Sequence, residues 1–290
     1  MTESEGELRA HQRWPKPALD HVHRDGLTVR ERAARRGGTR RLTAVWIHGL
    51  GESGLGFEGP MTDPRLGPFA HLAPDLLGYG RSPWPPQPLA LADHAAQLRG
   101  WLQRNALGEL ILIGHSMGGV IGTLLCEDPE ELGRRLVAFV DVEGNVSPTD
   151  CTNSATAAAY DLDGFLDHGW RALGDEIYEL GGRHRANRGY YASLRLADPR
   201  TFHRNSCELV AMSARRDLAR RLGALRLPRV YVHGRPGGTQ QGSLDLLAEA
   251  GVERIAIDGA GHWPFVDRPD AFGAALASWL AKALGLENTS

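Results

Sequence analysis

The chain has 290 residues, of which 42% are hydrophobic and 23% charged, with a formal net charge of -2. A chain of that size buries a sizeable core in one large domain, and its scattered basic residues give no broad cationic face for nucleic acid or an anionic membrane. No apolar run approaches the ~18 residues of a membrane span, and the opening Met-Thr-Glu-Ser-Glu-Gly-Glu lacks the basic start and apolar centre of a secretory signal. Cys126, Cys151 and Cys207 are far apart and show no CxxC spacing, which argues against a disulfide framework or zinc site and for a reducing, cytoplasmic setting.

In chain order, residues 1–18 read as a loose tail. Leu27 to Ala33 and Leu42 to Ile47 read as strands across a solvated hairpin containing Arg35, Arg36, Arg40 and Arg41, and Phe69 to Ala73 as another strand. Apolar residues at Leu91, Ala95, Leu98, Trp101 and Leu102 predict a helix within 89–107, where His94 should be solvated. Leu110 to Ile113 is a short, fully apolar strand, Met117 to Cys126 a helix and Leu136 to Val140 the next strand. The alternation then stops: helical patches at Gly164 to Leu173 and Ala211 to Leu222 are separated by Gly, Asn and Arg. Strand signals resume at Val230 to His233 and Arg254 to Ile257, and Ala271 to Leu284 closes as an amphipathic helix. This order predicts an α/β fold, a mostly parallel sheet flanked by helices, with an inserted helical lid. The expected organisation is a core of residues 19–144 and 226–290, with a cap of residues 145–225.

Gly114-His115-Ser116-Met117-Gly118 fits G-x-S-x-G, between an apolar strand and a helix, the context a nucleophile elbow requires. So sharp a turn strains its central residue and tolerates only small neighbours two positions away, here Gly114 and Gly118. It lifts the Ser116 hydroxyl above the sheet edge, near the positive end of a helix. A serine hydroxyl needs a base to take its proton. His262, in a glycine-rich loop after the strand Arg254 to Ile257, occupies the strand end where catalytic groups collect in open α/β sheets. His115 sits inside the turn and points elsewhere, while His168, His184 and His203 fall in the inserted segment.

The segments "VWIHGLGES", "APDLLGYGRS", "IGHSMGG" and "GAGHWPFVDRPDAF" follow one another in the order shown by α/β-hydrolases with a cap. Spanning residues 43 to 284, the chain resembles that family of serine hydrolases. The resemblance implies an oxyanion hole from the backbone N–H groups of Leu50 and Met117, each such donor being worth ~3 kcal/mol in the transition state. In this comparison the Asp75 to Gly80 loop, with Ser82, shapes the sheet end and does not react. A serine in place of a nucleophilic aspartate disfavours the dehalogenase and epoxide hydrolase routes.

The chain departs from the family pattern at the triad acid. Where a carboxylate is expected, "YVHGRPGGTQQGSLDLL" has Gly234-Arg235-Pro236-Gly237-Gly238, and Asp245 lies too far along. Some relatives carry the acid one strand earlier, where this chain has "LVAFVDVEGN". Asp141 and Glu143 share strand parity, so both are candidates to face His262. The longer side chain of Glu143 and its Gly144-Asn145 turn tip the balance slightly toward it. The acid would fix the imidazole tautomer and stabilise its charged form.

Trp170, Tyr178, Tyr190, Tyr191 and Phe202 are candidates to line a substrate pocket, of which Trp170, Tyr190 and Tyr191 head the list. Arg183, Arg185 or Arg188 would meet a carboxylate. These expectations add up to a serine hydrolase acting through an acyl-enzyme on a small-to-medium acyl ester, thioester or lactone, with no metal, no cofactor, and no nucleic-acid or membrane partner. Carbon–carbon bond hydrolysis or lysis, acyl transfer or cyclisation, and a non-catalytic ligand-binding module are the alternatives.

Overall fold

The protein is described by a computed structural model, which covers residues 19–34, 40–127, 132 and 135–286. The expected tail of residues 1–18, and Arg35 and Arg36 of the expected hairpin, lie outside these residues. Eight strands form one sheet: β1 (Asp20–Arg24), β2 (Leu27–Arg32), β3 (Leu42–Ile47), β4 (Ala70–Pro74), β5 (Glu109–His115), β6 (Leu136–Val142), β7 (Arg229–Gly237) and β8 (Glu253–Gly261). Their spatial order is β1-β2-β4-β3-β5-β6-β7-β8. β1 and β2 run antiparallel at one edge, and β4 through β8 are all parallel.

The central strands are apolar throughout because both of their faces are covered. On β5, Leu110 and Leu112 enter one core layer, while Ile111 and Ile113 enter the other. On β3, Val45 and Ile47 likewise oppose Ala44 and Trp46. Helices α1 (Leu91–Asn105) and α2 (Met117–Glu127) cover the first layer through Leu98, Trp101, Val120 and Ile121. The C-terminal helix Pro269–Leu284 covers the second through Phe272, Leu276 and Trp279.

The expected hairpin between β2 and β3 does not form. β4 lies between these strands, and β2 pairs with β1 instead. The connection is the two-residue turn Asp25-Gly26, with φ of 46° and 84°. Two positive φ values match the twist of a tight hairpin, and Asp-Gly is the dipeptide that accepts them, so a local signal for β1 was present in the sequence. His94 also departs from expectation: it is fully buried on α1, where its Nε2 lies 3.2 Å from Asn205 Oδ1. Burial pushes its pKa down to about 4. Helical spacing places His94 on the sheet side beside Leu91, Ala95 and Leu98, so an apolar pattern interrupted by one histidine remains a buried face.

Between β6 and β7 the chain makes five helices of seven residues or more: Thr152–Ala158, Trp170–Gly181, Arg185–Leu194, Pro199–Ala214 and Leu218–Ala224. The expected patch Ala211 to Leu222 is broken at Arg216, whose φ is 54°. This inserted segment is tied to the core by polar contacts. Tyr79 donates from its hydroxyl to Asn205 Oδ1 at 2.7 Å, Asn205 Nδ2 donates to the Leu89 carbonyl at 2.8 Å, and Asp198 N–H donates to the Gly78 carbonyl at 2.8 Å.

The loop that receives these contacts hangs from Asp75, immediately after β4. Its fully buried carboxylate accepts from Arg30 Nη1 at 3.1 Å, Gly54 N–H at 2.7 Å and Arg81 N–H at 2.9 Å. Ser82 adds to this frame, donating to the Asp75 carbonyl at 2.5 Å and accepting from Thr28 N–H at 2.9 Å. Removing one partner of a buried ion pair leaves the other charge uncompensated, which costs about 3–5 kcal/mol. Asp75→Ala is therefore expected to lose about that much stability, measured as a lower urea midpoint with an unchanged m-value.

Candidate active site

β5 ends at His115, and α2 starts at Met117, leaving Ser116 as the whole turn. Ser116 has a φ of 53°, a left-handed conformation that costs a side-chain-bearing residue of order 1–3 kcal/mol. The surroundings hold it there: Ser116 N–H donates to the Val142 carbonyl at 3.0 Å, and Gly119 N–H donates to the Ser116 carbonyl at 2.8 Å. A Cβ at Gly118 would stand 2.1 Å from the Ile47 carbonyl oxygen, and one at Gly114 would stand 2.2 Å from that of Gly118. Both glycines are thus required by close backbone approach, as their spacing around the serine implied.

β7 and β8 run parallel as far as Gly237 and Gly261, which carries His262 out past the sheet end. His262 Nδ1 lies 3.4 Å from Glu143 Oε2. Glu143 is the first residue after β6, with a φ of 53°. Its carboxylate also accepts from Gly234 N–H at 2.6 Å, Thr239 N–H at 3.2 Å and the Thr239 hydroxyl at 3.1 Å. The loop after β7 that lacks a carboxylate is therefore the cradle for one from β6: a Cβ at Gly238 would stand 2.1 Å from Glu143 Oε1. Burial works to raise the Glu143 pKa, but His262 and these N–H donors outweigh it and hold the carboxyl below its usual range.

Asp141 goes elsewhere. Its Oδ1 has no hydrogen-bond partner, and it is packed against Gly119 and Gly144, where an added Cβ would come within 2.0 Å and 2.1 Å of it. Burial pushes its carboxyl well above the usual aspartate range. Shared strand parity does not bring both acids to His262, because β6 ends at Val142 and the left-handed backbone at Glu143 redirects the second one.

Ser116, His262 and Leu50 line one cavity of about 290 Å³, together with Tyr190 of the inserted segment and Trp263. Leu50 lies in a turn closed by Glu52 N–H donating to the Gly49 carbonyl at 3.2 Å, with Gly51 at a φ of 72°. Met117 opens α2 directly after Ser116 and is fully buried. Of the three aromatic residues expected foremost in a pocket, Tyr190 alone lines this cavity. Trp170 instead packs on Phe202 and Phe165 at ring-centroid distances of 5.2 Å and 5.9 Å. Tyr191 packs on Tyr178 at 5.3 Å. The two residues of the pair Tyr190-Tyr191 face different ways on their helix, which residue type alone did not reveal. Arg183, Arg185 and Arg188 are exposed and do not line the cavity, nor do the exposed His168 and His184.

Residues not singled out from sequence complete the site. Asn145, Asp150, Asn153, Glu176 and Asn187 give the cavity a polar wall. Glu52, which also lines the cavity, forms a buried pair with His115 behind it, with His115 Nδ1 3.0 Å from Glu52 Oε2. Burial opposes charge on both, yet their mutual attraction and hydrogen bonds prevail, lowering Glu52 to about 2 and raising His115. No periodicity marks such a pair, since its members are 63 residues apart.

A family model described as the alpha/beta hydrolase family matches residues 44–275. Among solved structures, the N-acyl homoserine lactonase AidH complexed with N-hexanoyl homoserine is 19% identical, with a TM-score of 0.70 over 94% of this chain and 99% of that one. A thermophilic esterase from Thermogutta terrifontis is 19% identical, with a TM-score of 0.70 over 91% and 97%. The enol-lactonase from Burkholderia xenovorans LB400 is 18% identical, with a TM-score of 0.69 over 90% and 100%. Curated sequences match over shorter stretches. An uncharacterised protein of Mycobacterium tuberculosis is 30% identical over 92 residues, which is 31% of this chain and 26% of that protein. The lipase LipV of the same species is 41% identical over 49 residues, or 17% and 18% of the two chains. The family match spans most of the sheet, the elbow and the His262 loop, and the chain belongs to the alpha/beta hydrolase family.

Proposed function

We propose that this protein is a serine hydrolase that cleaves a small-to-medium, uncharged acyl ester, thioester or lactone. The observation that carries this reading is the convergence of the strained Ser116 and the Glu143-held His262 on one cavity. In the first step His262 Nε2 takes the hydroxyl proton while Ser116 Oγ bonds to the substrate carbonyl carbon. The resulting oxyanion is held by the Leu50 and Met117 N–H groups. Collapse breaks the bond to the leaving alcohol or thiol, which receives the proton from His262. Water then attacks the acyl-enzyme by the same route and releases the acid. Glu143 holds the Nδ1–H tautomer and steadies the imidazolium between these transfers.

The esterase and lactonase neighbours support a carboxylic ester or lactone as substrate. Residues 145–225 act as the cap in this reading, because Tyr190, Ile177 and Leu209 come from them to the cavity. The unpaired Cys126, Cys151 and Cys207 support a reducing, cytoplasmic setting. No helix among the described residues is long and apolar enough to cross a membrane.

Intact mass after fluorophosphonate treatment tests the nucleophile. One adduct is expected on the wild type and none on Ser116→Ala, with labelling slowed about 10³-fold or more in His262→Ala. Glu143→Gln should slow labelling strongly, and Asp141→Asn by less than about threefold. An unlabelled, folded wild type would sink the hydrolase reading.

Asp141 generates a second expectation. A carboxyl whose folded pKa is raised binds its proton more tightly folded than unfolded, so it favours folding at low pH and costs stability as pH climbs from about 4 toward the raised value. Asp141→Asn should remove this loss and be at least as stable as the wild type at pH 8, by urea unfolding at pH 5 and pH 8. A variant much less stable at both values would show that the carboxyl itself is needed.

The cavity wall generates a third. Glu52, Asp150 and Glu176 line it, whereas no arginine or lysine does, so an acyl group with its own carboxylate meets like charge. A neutral p-nitrophenyl butanoate is expected to exceed the hemisuccinate, in which a carboxylate replaces the terminal methyl, in kcat/KM by about tenfold, from roughly 1.4 kcal/mol of repulsion. Glu176→Gln should narrow that gap.

A further inference from the structure

The mechanism leaves one buried pair without a task. The His115 ring is wholly enclosed, and each of its nitrogens faces an oxygen: Nδ1 lies 3.0 Å from Glu52 Oε2, and Nε2 lies 2.7 Å from the His262 carbonyl. A carbonyl accepts only, so Nε2 carries a proton. The Glu52 carboxylate also accepts from Gly49 N–H at 2.9 Å and the Trp263 indole N–H at 2.7 Å. With those two donors and the imidazole converging on it, the carboxylate has every reason to be ionised and Nδ1 to be protonated. His48 shows the opposite arrangement one strand away. Its Nε2 accepts from Leu76 N–H at 3.0 Å, so that ring is neutral.

These contacts connect the three parts that must meet at the substrate carbonyl. Glu52 fixes Gly49 and thereby the turn that carries Leu50. His115 is the backbone neighbour of Ser116. His262 and Trp263 are gripped at the carbonyl of one and the indole of the other. The His115 and His262 rings stand 4.8 Å apart, and Phe265 closes the far side of His115 at 5.0 Å. Other ionisable groups facing the pair are Glu143, after β6, and His262 itself; Asp141 bears on His115 from β6, and His48 after β3 and Tyr190 of the inserted segment bear on Glu52.

We propose that His115 and Glu52 form a buried imidazolium–carboxylate clamp that sets the oxyanion turn and the general-base loop in register with Ser116. They are positioning residues, acting through Gly49 N–H, the His262 carbonyl and the Trp263 indole. The proposal rests on the serine hydrolase reading for its kinetic consequence. A displacement of about 1 Å among reacting groups can cost about 10²-fold in rate, so the clamp should be visible in kcat and barely in KM.

The test combines kinetics and histidine NMR on the full chain. With p-nitrophenyl butanoate, Glu52→Gln and His115→Gln are each expected to lower kcat about 10²-fold while KM stays within about twofold. The double variant should be no slower than the worse single, because both remove one clamp. Multiplicative losses in the double variant, or losses confined to KM, would overturn the proposal. Independently of turnover and of how the variants fold, ¹⁵N-histidine spectra of the wild type at pH 7.5 should show His115 with both ring nitrogens protonated; a neutral ring would also overturn it. If the wild type neither hydrolyses the ester nor takes the fluorophosphonate, the hydrolase reading fails, and the spectra decide for the clamp alone. His262 signals that move in Glu52→Gln would then support it, and unmoved signals would refute it.

Discussion

The architecture of this site depends on one backbone constraint, the left-handed turn at Ser116. A strand in the middle of the sheet must pass into a helix within a single residue, and the helix must start so close to β3 that nothing larger than hydrogen fits at position 118. Such a turn is unfavourable by itself. It persists because the flanking elements leave no alternative: β5 is apolar on both faces, α2 is buried along most of its length, and the Ser116 amide is bonded to the end of β6. The stability of the two core layers is thus what maintains strain at Ser116.

Around that turn, the sheet end is a buried polar layer in which nearly every group is satisfied by another loop. Asp75 joins β2, the Gly54 segment and the Arg81 loop. Glu143 joins β6 to the turns after β7 and β8, and the Glu52–His115 pair joins the turn after β3 to the elbow and the His262 loop. Carboxylates suit such junctions because each oxygen accepts more than one N–H. A buried carboxylate with too few donors does the opposite: Asp141, with the Gly144 N–H on it but Oδ1 unpaired, is driven toward its neutral form. Four acids at the same sheet end are therefore set apart by the donors aimed at them: several converge on Asp75, Glu52 and Glu143, and none reaches Oδ1 of Asp141.

The inserted helices do not sit apart from this layer. Their apolar residues Phe165, Ile177, Tyr190 and Phe202 continue the core layer that holds Leu98 and Val120. Gly51 of the Leu50 turn lies so close to Leu194, Phe202 and Tyr190 that a Cβ there would clash with them. The cavity is consequently a gap between two packed parts, with apolar lining from Leu50, Ile177 and Leu209 and a carboxylate and amide rim.

Local sequence rules carried the sheet class, the elbow, the two glycines and the histidine after the last strand, because each depends on contacts among near neighbours or on a two-residue or helical period. The β1–β2 hairpin, signalled by Asp25-Gly26, belonged to the same legible class. What only the tertiary structure decided were groups that depend on distant partners. Glu143, not Asp141, reaches His262 because a glycine loop from another strand makes room for its carboxylate. His94 is buried because Asn205, 111 residues away, supplies its partner. Trp170 and Tyr191 turn from the cavity because other rings of the insertion receive them. In each case the deciding energy lies in burial and pairing across the fold, and neither is written in the spacing of the residues themselves.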